Sequence, residues 1–477
     1  MSDTVKQAVA DARRGSSLSG QIAEVLRDTY NEDVPTEVVE TAKALTLDAL
    51  GIGFASRSES FSERAWSGIS RVAGEGGATV IGSLRTVDTG SAALMNGLLI
   101  HGLDFDDTHL ASVIHTSASA LPAALAAGEL EDRSGREVLK AFVLGSEVTA
   151  RIGMVAAGEF HKWGFHPTGV VGAFGAAVAA GLLFGLDKEE LATAQGIVGS
   201  MASGIFEFLE DGTWTKRLHP GWAAHAGLTA ASLAGAGFTG PGAVYEGRFG
   251  LYATHLGTRD LPLEMATEDL GERWEILKVA VKPYPACHFN HAFIDAALEL
   301  RQEEGFAVEG VERITCKIAA SEVETVCEPI KTKRRPQTTY DAQFSLPYAV
   351  ASAIVRGRRL GIKDFDEEGI GDERVLGVAE KVGYEVDPDS GFPRHFSGEV
   401  VIHLRDGRRV SRREQINRGA PERPLGREEI REKFRLNTSI GLSEEQAELV
   451  ARKLENLDGL DSISDLTSAL RVDPKHG

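Results

Sequence analysis

The sequence predicts a mainly α protein: a large all-helical domain with a discontinuous chain, interrupted by a smaller inserted α+β domain. Three observations carry that expectation. Apolar residues recur at helical period through the first half of the chain. Beyond residues 281–291 the pattern turns to strand-like alternation, and near the end helical period returns. A length of 477 residues agrees with two domains, because it exceeds what one compact core usually holds.

In chain order, "PTEVVETAKALTLDALGIGFAS" opens with Pro35 and places Val38, Ala42, Leu45, Ala49 and Ile52 on one helical face. Residues 134–154, "SGREVLKAFVLGSEVTARIGM", repeat the pattern. Residues 163–186 carry no Asp, Glu, Lys or Arg and are long enough to span a bilayer. They are built of Gly and Ala and include a His-Pro, so they are expected to be a buried helix in a large helical core. "DKEELATAQGIVGSMASGI" adds another helix with an acidic start, and small residues on these faces imply close helix packing. "VERITCKIAA" is strand-like, with Ile314, Cys316 and Ile318 on one side. Residues 339–357 are expected to form one helix. "GEVVIHLRDGRRVS" is a hairpin turning at Asp406-Gly407. "GLSEEQAELVARKLENLD" is helical, with Ser443 and Glu445 at its start. The expected domains are therefore residues 1–275 (helical, first part), 276–413 (α+β) and 414–477 (helices completing the helical domain).

Composition narrows the function. A formal net charge of -19 argues against nucleic acid or an anionic membrane as partner, so any anionic substrate needs local positive charge. Three cysteines at no metal-like spacing argue against a disulfide scaffold or structural zinc and fit a reducing compartment. The first 30 residues hold no apolar run of a secretory signal, and the faint transit-like "ADARRGSS" is weakened by Asp3 and Asp11. A cytoplasmic protein is expected.

Several motifs hold ionisable chemistry. "HGLDFDDTH" has Asp104, Asp106 and Asp107 in four residues. Alone it reads first as a capping loop, and second as a magnesium box of the kind that holds phosphate substrates. Against metal, the helical half has no second Asp-rich cluster. "FHPTGVV" puts His166 at a helix N-terminus, as a capping residue or an anion contact. "TKRLHPGWAAHAG" holds Lys216, Arg217 and His219; its lysine is a snorkelling surface residue or an anion clamp. "VKPYPACHFNH" holds Lys282, Cys287, His288 and His291, and its prolines also suit a shaped linker. The spaced glycines of 235–244 follow no strand, so a dinucleotide fold fails, and no G-x-S-x-G elbow occurs. Cationic and acid–base groups without a cofactor signature suit proton transfer at carbon next to a carboxylate.

With those motifs in hand, the chain resembles the MmgE/PrpD family of 2-methylcitrate dehydratase, cis-aconitate decarboxylase and iminodisuccinate epimerase. "HGLDFDDTH", "FHPTGVVGAFGAA", "TKRLHPGWAAHAG", "YEGRFGLY" and "VKPYPACHFNHAFIDAA" occur in the family's order over nearly the whole chain. The resemblance implies a helical domain, a smaller α+β lid, a homodimer, a small di- or tricarboxylate substrate, and neither cofactor nor metal. It implies Asp104, His115 and Lys216 as catalytic residues, and Thr108, His166, Lys282, His288 and Tyr348 as substrate-binding residues. Tyr348 would reach down from the lid as a donor. Asp106, Asp107 and His109 are expected to be structural partners. The chain departs from the family pattern in three places. Cys287 stands where the decarboxylase has a histidine, with His288 one step on. The Thr108-to-His115 spacing is one residue longer, and the segment after DFDDT lacks the dehydratase's D-x-N-D-T-W and H-P-S-D-N pattern. The leading expectation is a 2-methylcitrate dehydratase-like lyase. Decarboxylation and epimerisation are the alternatives. A magnesium-dependent helical enzyme and a non-catalytic carboxylate-binding protein are the remote ones.

Overall fold

The computed structural model describes residues 17–392 and 394–472, so most of the transit-like stretch lies outside the described residues. The helical body comprises α1 (Leu18–Asn31), α2 (Thr36–Arg57), α3 (Ser60–Val72), α4 (Thr89–His101), α5 (Ser117–Leu130), α6 (Gly135–Met154), α7 (Gly172–Leu183), α8 (Lys188–Val198) and α9 (Thr215–Gly235). The smaller unit contains α10 (His291–Glu303) and α11 (Leu346–Arg356), and the chain ends in α12 (Arg427–Thr438) and α13 (Glu444–Glu455). One apolar core joins α1 through α9 with Leu425, Phe434 and Leu454 of the C-terminal part; a second core gathers α10, α11 and a sheet. The last helices therefore return to the first body. Phe434 of α12 lies against Gly51 of α2, where an added Cβ would stand 2.9 Å from its ring.

The five residues expected on one face of α2 are all buried, at 2% exposure or less. Residues 166–183 are buried, while Trp163 and Gly185 at the ends of the stretch are exposed, and it is not one helix: a short turn of helix, Pro167–Val170, precedes α7. Among the described residues no helix is long and apolar enough to cross a membrane. Close helix packing is carried by glycine. Gly97 of α4 meets Gly221 of α9, where a Cβ on Gly221 would stand 2.1 Å from the Leu94 carbonyl oxygen. Gly145 of α6 and Gly175 in α7 make a similar contact, with 2.3 Å from a Gly175 Cβ to the Gly145 oxygen. Side chains there would force the helices apart.

Two sheets are present among the described residues. Strands β1 (Thr108–His109) and β2 (Val279–Ala280) form a two-residue antiparallel ladder, pairing Thr108 with Ala280. The larger sheet has the order β4-β3-β5-β6. Strands β3 (Val311–Ile318), β5 (Gly398–Leu404) and β6 (Arg409–Glu414) are antiparallel neighbours, while β4 (Val382–Val386) joins β3 in parallel. Ile314, Cys316 and Ile318 all face the second core, as their alternation requires, and the hairpin turns at Gly407 with φ +88°. The expected 339–357 helix is broken. A five-residue helix, Thr339–Gln343, stops at Phe344, and α11 starts anew with Ser345 Oγ accepting from the Tyr348 N–H at 3.0 Å. Pro347 lacks an N–H and suits only a first helical turn, so Ser-Leu-Pro is a start signal inside the predicted helix.

The contact between α4 and α9 is closest at Gly97 and Gly221. Gly221→Ala is expected to lower stability by about 1–3 kcal/mol, read by chemical denaturation, with little or no loss at the exposed Gly77 or Gly377, where an added Cβ meets nothing. Unchanged stability would mean that this helix contact is not as close as described.

Candidate active site

The loop that follows α4 places successive side chains in opposite directions. Asp104 has φ +50°, a left-handed conformation that aspartate tolerates better than most residues. Its carboxylate accepts from Lys216 Nζ of α9 on one oxygen and from Lys282 Nζ at 3.1 Å on the other. Lys282 also donates to the Asp104 carbonyl at 2.7 Å. All three side chains are buried, and the two ammonium groups hold the Asp104 carboxyl well below its ordinary range against the opposing effect of burial.

Phe105 turns the other way. Its carbonyl accepts from Lys433 Nζ of α12 at 2.9 Å, and that ammonium stands 3.7 Å from the centre of its ring. Lys433 also pairs with Asp48 of α2 at 2.7 Å. Burial pulls the Lys433 ammonium down to about 8, against the pull of Asp48. The C-terminal helix thus supports the loop from beneath.

Asp106 returns to the site. Its Oδ2 accepts from His101 Nδ1 at 2.8 Å and lies 3.4 Å from His115 Nδ1. His115 Nδ1 donates to the Asp107 carbonyl at 2.7 Å, and its backbone N–H donates to Thr168 Oγ1 at 3.3 Å. Both neighbours of that nitrogen are acceptors, so Nδ1 carries the hydrogen and Nε2 is the free, basic nitrogen. Burial lowers His115 to about 3, which keeps it neutral in the free protein. Asp107 binds the start of α5 through Ser117, and His109 sits between Ser112 and Glu275.

His166 stands just before the short helix Pro167–Val170, and its Nδ1 lies 3.0 Å from Nδ1 of His219. The rings of His101, His115 and His166 are mutually 4.7, 5.6 and 6.5 Å apart. Thr108 is held by the β1–β2 ladder, and its Oγ1 is buried with no partner. His288 Nε2 accepts from Asn417 at 2.7 Å; its Nδ1 is buried and unpartnered, and the charges of Lys282 and Asp104 reach it. Six of the eight residues expected from the sequence are therefore linked in one neighbourhood, and Thr108 lies at the end of the same loop.

Tyr348 is the exception. Its hydroxyl donates to the Asp364 carbonyl at 2.6 Å, and its ring packs on Phe365 inside the second core. The helix break at Phe344 explains the difference, because it turns residues 340–344 towards the loop and α11 away from it. Phe344 lies 4.8 Å from Lys216 Nζ, Gln343 donates to the Leu103 carbonyl at 2.7 Å, and Tyr340 faces Arg217 at 5.3 Å. The Tyr340 hydroxyl is buried without a partner and feels the Asp104 charge. Asp106, expected as a structural partner, instead sits between His101 and His115. His101, His219 and Tyr340 were missing from the expected set. His219 is three residues beyond Lys216 on one helix, a spacing that puts both on one side. His101 precedes Asp104 in the motif itself, but Tyr340 left no such signal.

His101, Asp106 and His115 offer three ligand-type atoms within 4.8 Å of one another. Two of these atoms are ring nitrogens hydrogen-bonded to acceptors, and Lys282 acts on Asp106 as well. Imidazoles held as N–H donors to a carboxylate suit a proton-transfer relay better than a cation beside two lysines.

Comparison with known proteins places the chain in a family. Residues 20–264 match the MmgE/PrpD N-terminal domain and residues 284–457 the MmgE/PrpD C-terminal domain. The cis-aconitate decarboxylase-like protein oryM of Aspergillus oryzae is 27% identical over 97% of this chain and 99% of its own length. The cis-aconitate decarboxylases of Mus musculus and Homo sapiens are 30% and 31% identical, each over 91% of this chain and 89% and 90% of their own lengths. Both family domains lie in order along the chain, and the protein belongs to the MmgE/PrpD family.

Proposed function

We propose that the protein is a lyase that acts on a small di- or tricarboxylate by proton transfer at carbon next to a carboxylate, with decarboxylation of a cis-aconitate-like acid as the leading reaction. The observation that carries this reading is the Lys216–Asp104–Lys282 clamp beside the free Nε2 of His115. An ammonium has three donors. Lys282 uses two on Asp104, and Lys216 uses one, so both retain donors for a ligand carboxylate.

In decarboxylation, the bond from carbon to the departing carboxylate breaks. Its electron pair passes into the conjugated skeleton as enolate-like charge on a neighbouring carboxylate, where the lysines stabilise it. A proton drawn from solvent and carried by His115 Nε2 closes the carbon, and CO2 leaves. Asp106 and the Asp107 carbonyl keep the His115 ring aimed during both steps. The names of the similar proteins favour this reaction over dehydration. A neutral His115 favours dehydration as the second reading, because its Nε2 is ready to accept an α-proton before hydroxide departs.

Purified protein, after chelation, should release CO2 from cis-aconitate, and should do so faster than it forms alkene from citrate or 2-methylcitrate or epimerises iminodisuccinate. Turnover of none of these acids would refute the reading. His115→Gln should lower kcat by about 10²–10⁴ with the fold intact. Tyr340→Phe and Tyr348→Phe separate the two tyrosines. The first should lower kcat/KM roughly 10-fold or more at unchanged stability, and the second should lower stability by about 1 kcal/mol with kcat/KM nearly unchanged. The opposite pattern would return Tyr348 to the site.

A further inference from the structure

Asp106 serves two imidazoles with one oxygen. Its Oδ2 accepts from His101 Nδ1 at 2.8 Å and lies 3.4 Å from His115 Nδ1, while its Oδ1 is buried without a partner. The His101 and Asp106 side chains have no exposed surface, and the rings of His101 and His115 meet edge-on at 4.7 Å. His101 closes α4, and its carbonyl accepts from the Asp104 N–H at 3.2 Å. The next carbonyl, that of Gly102, accepts from Arg217 Nε, and a Cβ on Gly102 would stand 2.5 Å from the Phe61 ring. The imidazole is therefore fixed from its backbone outward. Its Nε2 is buried and unpartnered, so among the described residues Asp106 is the ring's hydrogen-bond partner.

In the free protein the oxygen is shared unequally. His115 Nδ1 donates to the Asp107 carbonyl at 2.7 Å, so His101 holds the carboxylate and His115 holds a neutral carbonyl. The difference counts once His115 takes a proton at Nε2. An imidazolium N–H is bound more strongly by a carboxylate than by a carbonyl, because a hydrogen bond between ionised partners is roughly twice as strong as a neutral one. His101 occupies the oxygen that would give this stabilisation. A proton that must pass between His115 and a carbon atom has to be loosely held, and so does one that must be absent when a base is needed.

We propose that His101 is a positioning residue for the reaction: by holding Asp106 Oδ2 it keeps that carboxylate from closing on His115, and so keeps the His115 proton loosely held. Its purpose, though not its geometry, rests on the lyase reading above. The charged and titratable groups facing His115 are Asp104 and Asp106 from its own loop, His101 from α4, Lys216 from α9, Lys282 and His288 from the segment leading into the smaller unit, and His166 across the site. Asp106 is faced in addition by Asp107, by Asp48 of α2 and by Lys433 of α12. Burial lowers His115 to about 3; Asp106 works against that, and His101, Lys282 and Lys216 work with it. Of these groups, His101 is the one whose hold can be removed without disturbing a lysine of the clamp.

Two substitutions separate the hydrogen bond from the ring. His101→Phe keeps a ring and removes the donor. His101→Asn keeps an N–H near the place of Nδ1 and cannot titrate. Imidazole nitrogen spectra of protein with labelled histidine, the His115 signals assigned by their loss in His115→Gln, report the proton directly. A gained hydrogen bond between ionised partners should raise the proton affinity of His115 by about 10- to 100-fold. At pH 5, about a tenth to a half of His115 should then be imidazolium in His101→Phe, against about a hundredth in wild type and His101→Asn. The matching inflection of the kcat/KM profile for cis-aconitate should appear between about pH 4 and 5 in His101→Phe and lie lower in the other two. A His115 that stays neutral in His101→Phe at pH 5, or that gains a proton equally in His101→Asn, overturns the proposal. A proton gain in His101→Phe alone, with no acid turned over by the wild type, overturns the lyase reading and leaves the hold of His101 on His115 standing. If His101→Phe does not fold, the smaller His101→Leu carries the same expectation. The wild type adds a check that needs no variant: at pH 7 His101 Nδ1 must carry hydrogen, and a bare Nδ1 overturns the proposal.

Discussion

Asp104 is the constraint on which the site depends. It accepts from Lys216 on α9 and from Lys282 on the segment leading into the smaller unit, in a left-handed backbone conformation. A single carboxylate therefore ties together a helix of the body, the strand pair β1–β2 and the approach to α10. Breaking a buried pair of this kind typically costs about 3–5 kcal/mol because the remaining charge loses its partner. The clamp also keeps two ammonium groups close together in a buried centre, where their mutual repulsion would otherwise separate them. Lys433, from the far end of the chain, fixes the next residue, Phe105, so that Asp104 and Asp106 face the same centre.

Around the clamp, basicity is graded by environment. Asp104 and Asp106 are held ionised by cations and imidazoles, while burial keeps His115 and His166 neutral. This combination separates fixed charge, which holds carboxylates, from neutral nitrogen, which moves protons. From the smaller unit Phe344 closes over Lys216 and Tyr340 over Arg217, limiting water at the point where charge would develop.

Much of this was legible in the sequence, and the failures have physical causes. The α2 stripe, the β3 alternation and the Asp-Gly hairpin are local patterns, and each reappears in the fold. The ionisable motifs also met, because His166, Lys216 and Lys282 each stand beside a helix start or a strand that points inward. The parallel strand β4 was not legible, since five residues with exposed Glu385 and Val386 carry no usable alternation. The position of Tyr348 failed because it depended on one continuous helix through Ser345-Leu346-Pro347. Asp106 was underrated because its partners, His101 and His115, lie on opposite sides of it in the chain and meet it only after the loop folds.

The most direct test is a crystal structure with tricarballylate bound. A carboxylate oxygen should lie within about 3.2 Å of Lys216 or Lys282 Nζ, with the ligand's carbon chain facing His115 Nε2 and Asp104 still between the lysines. A ligand bound away from the clamp, or one reached by neither lysine and remote from His115, would contradict the account.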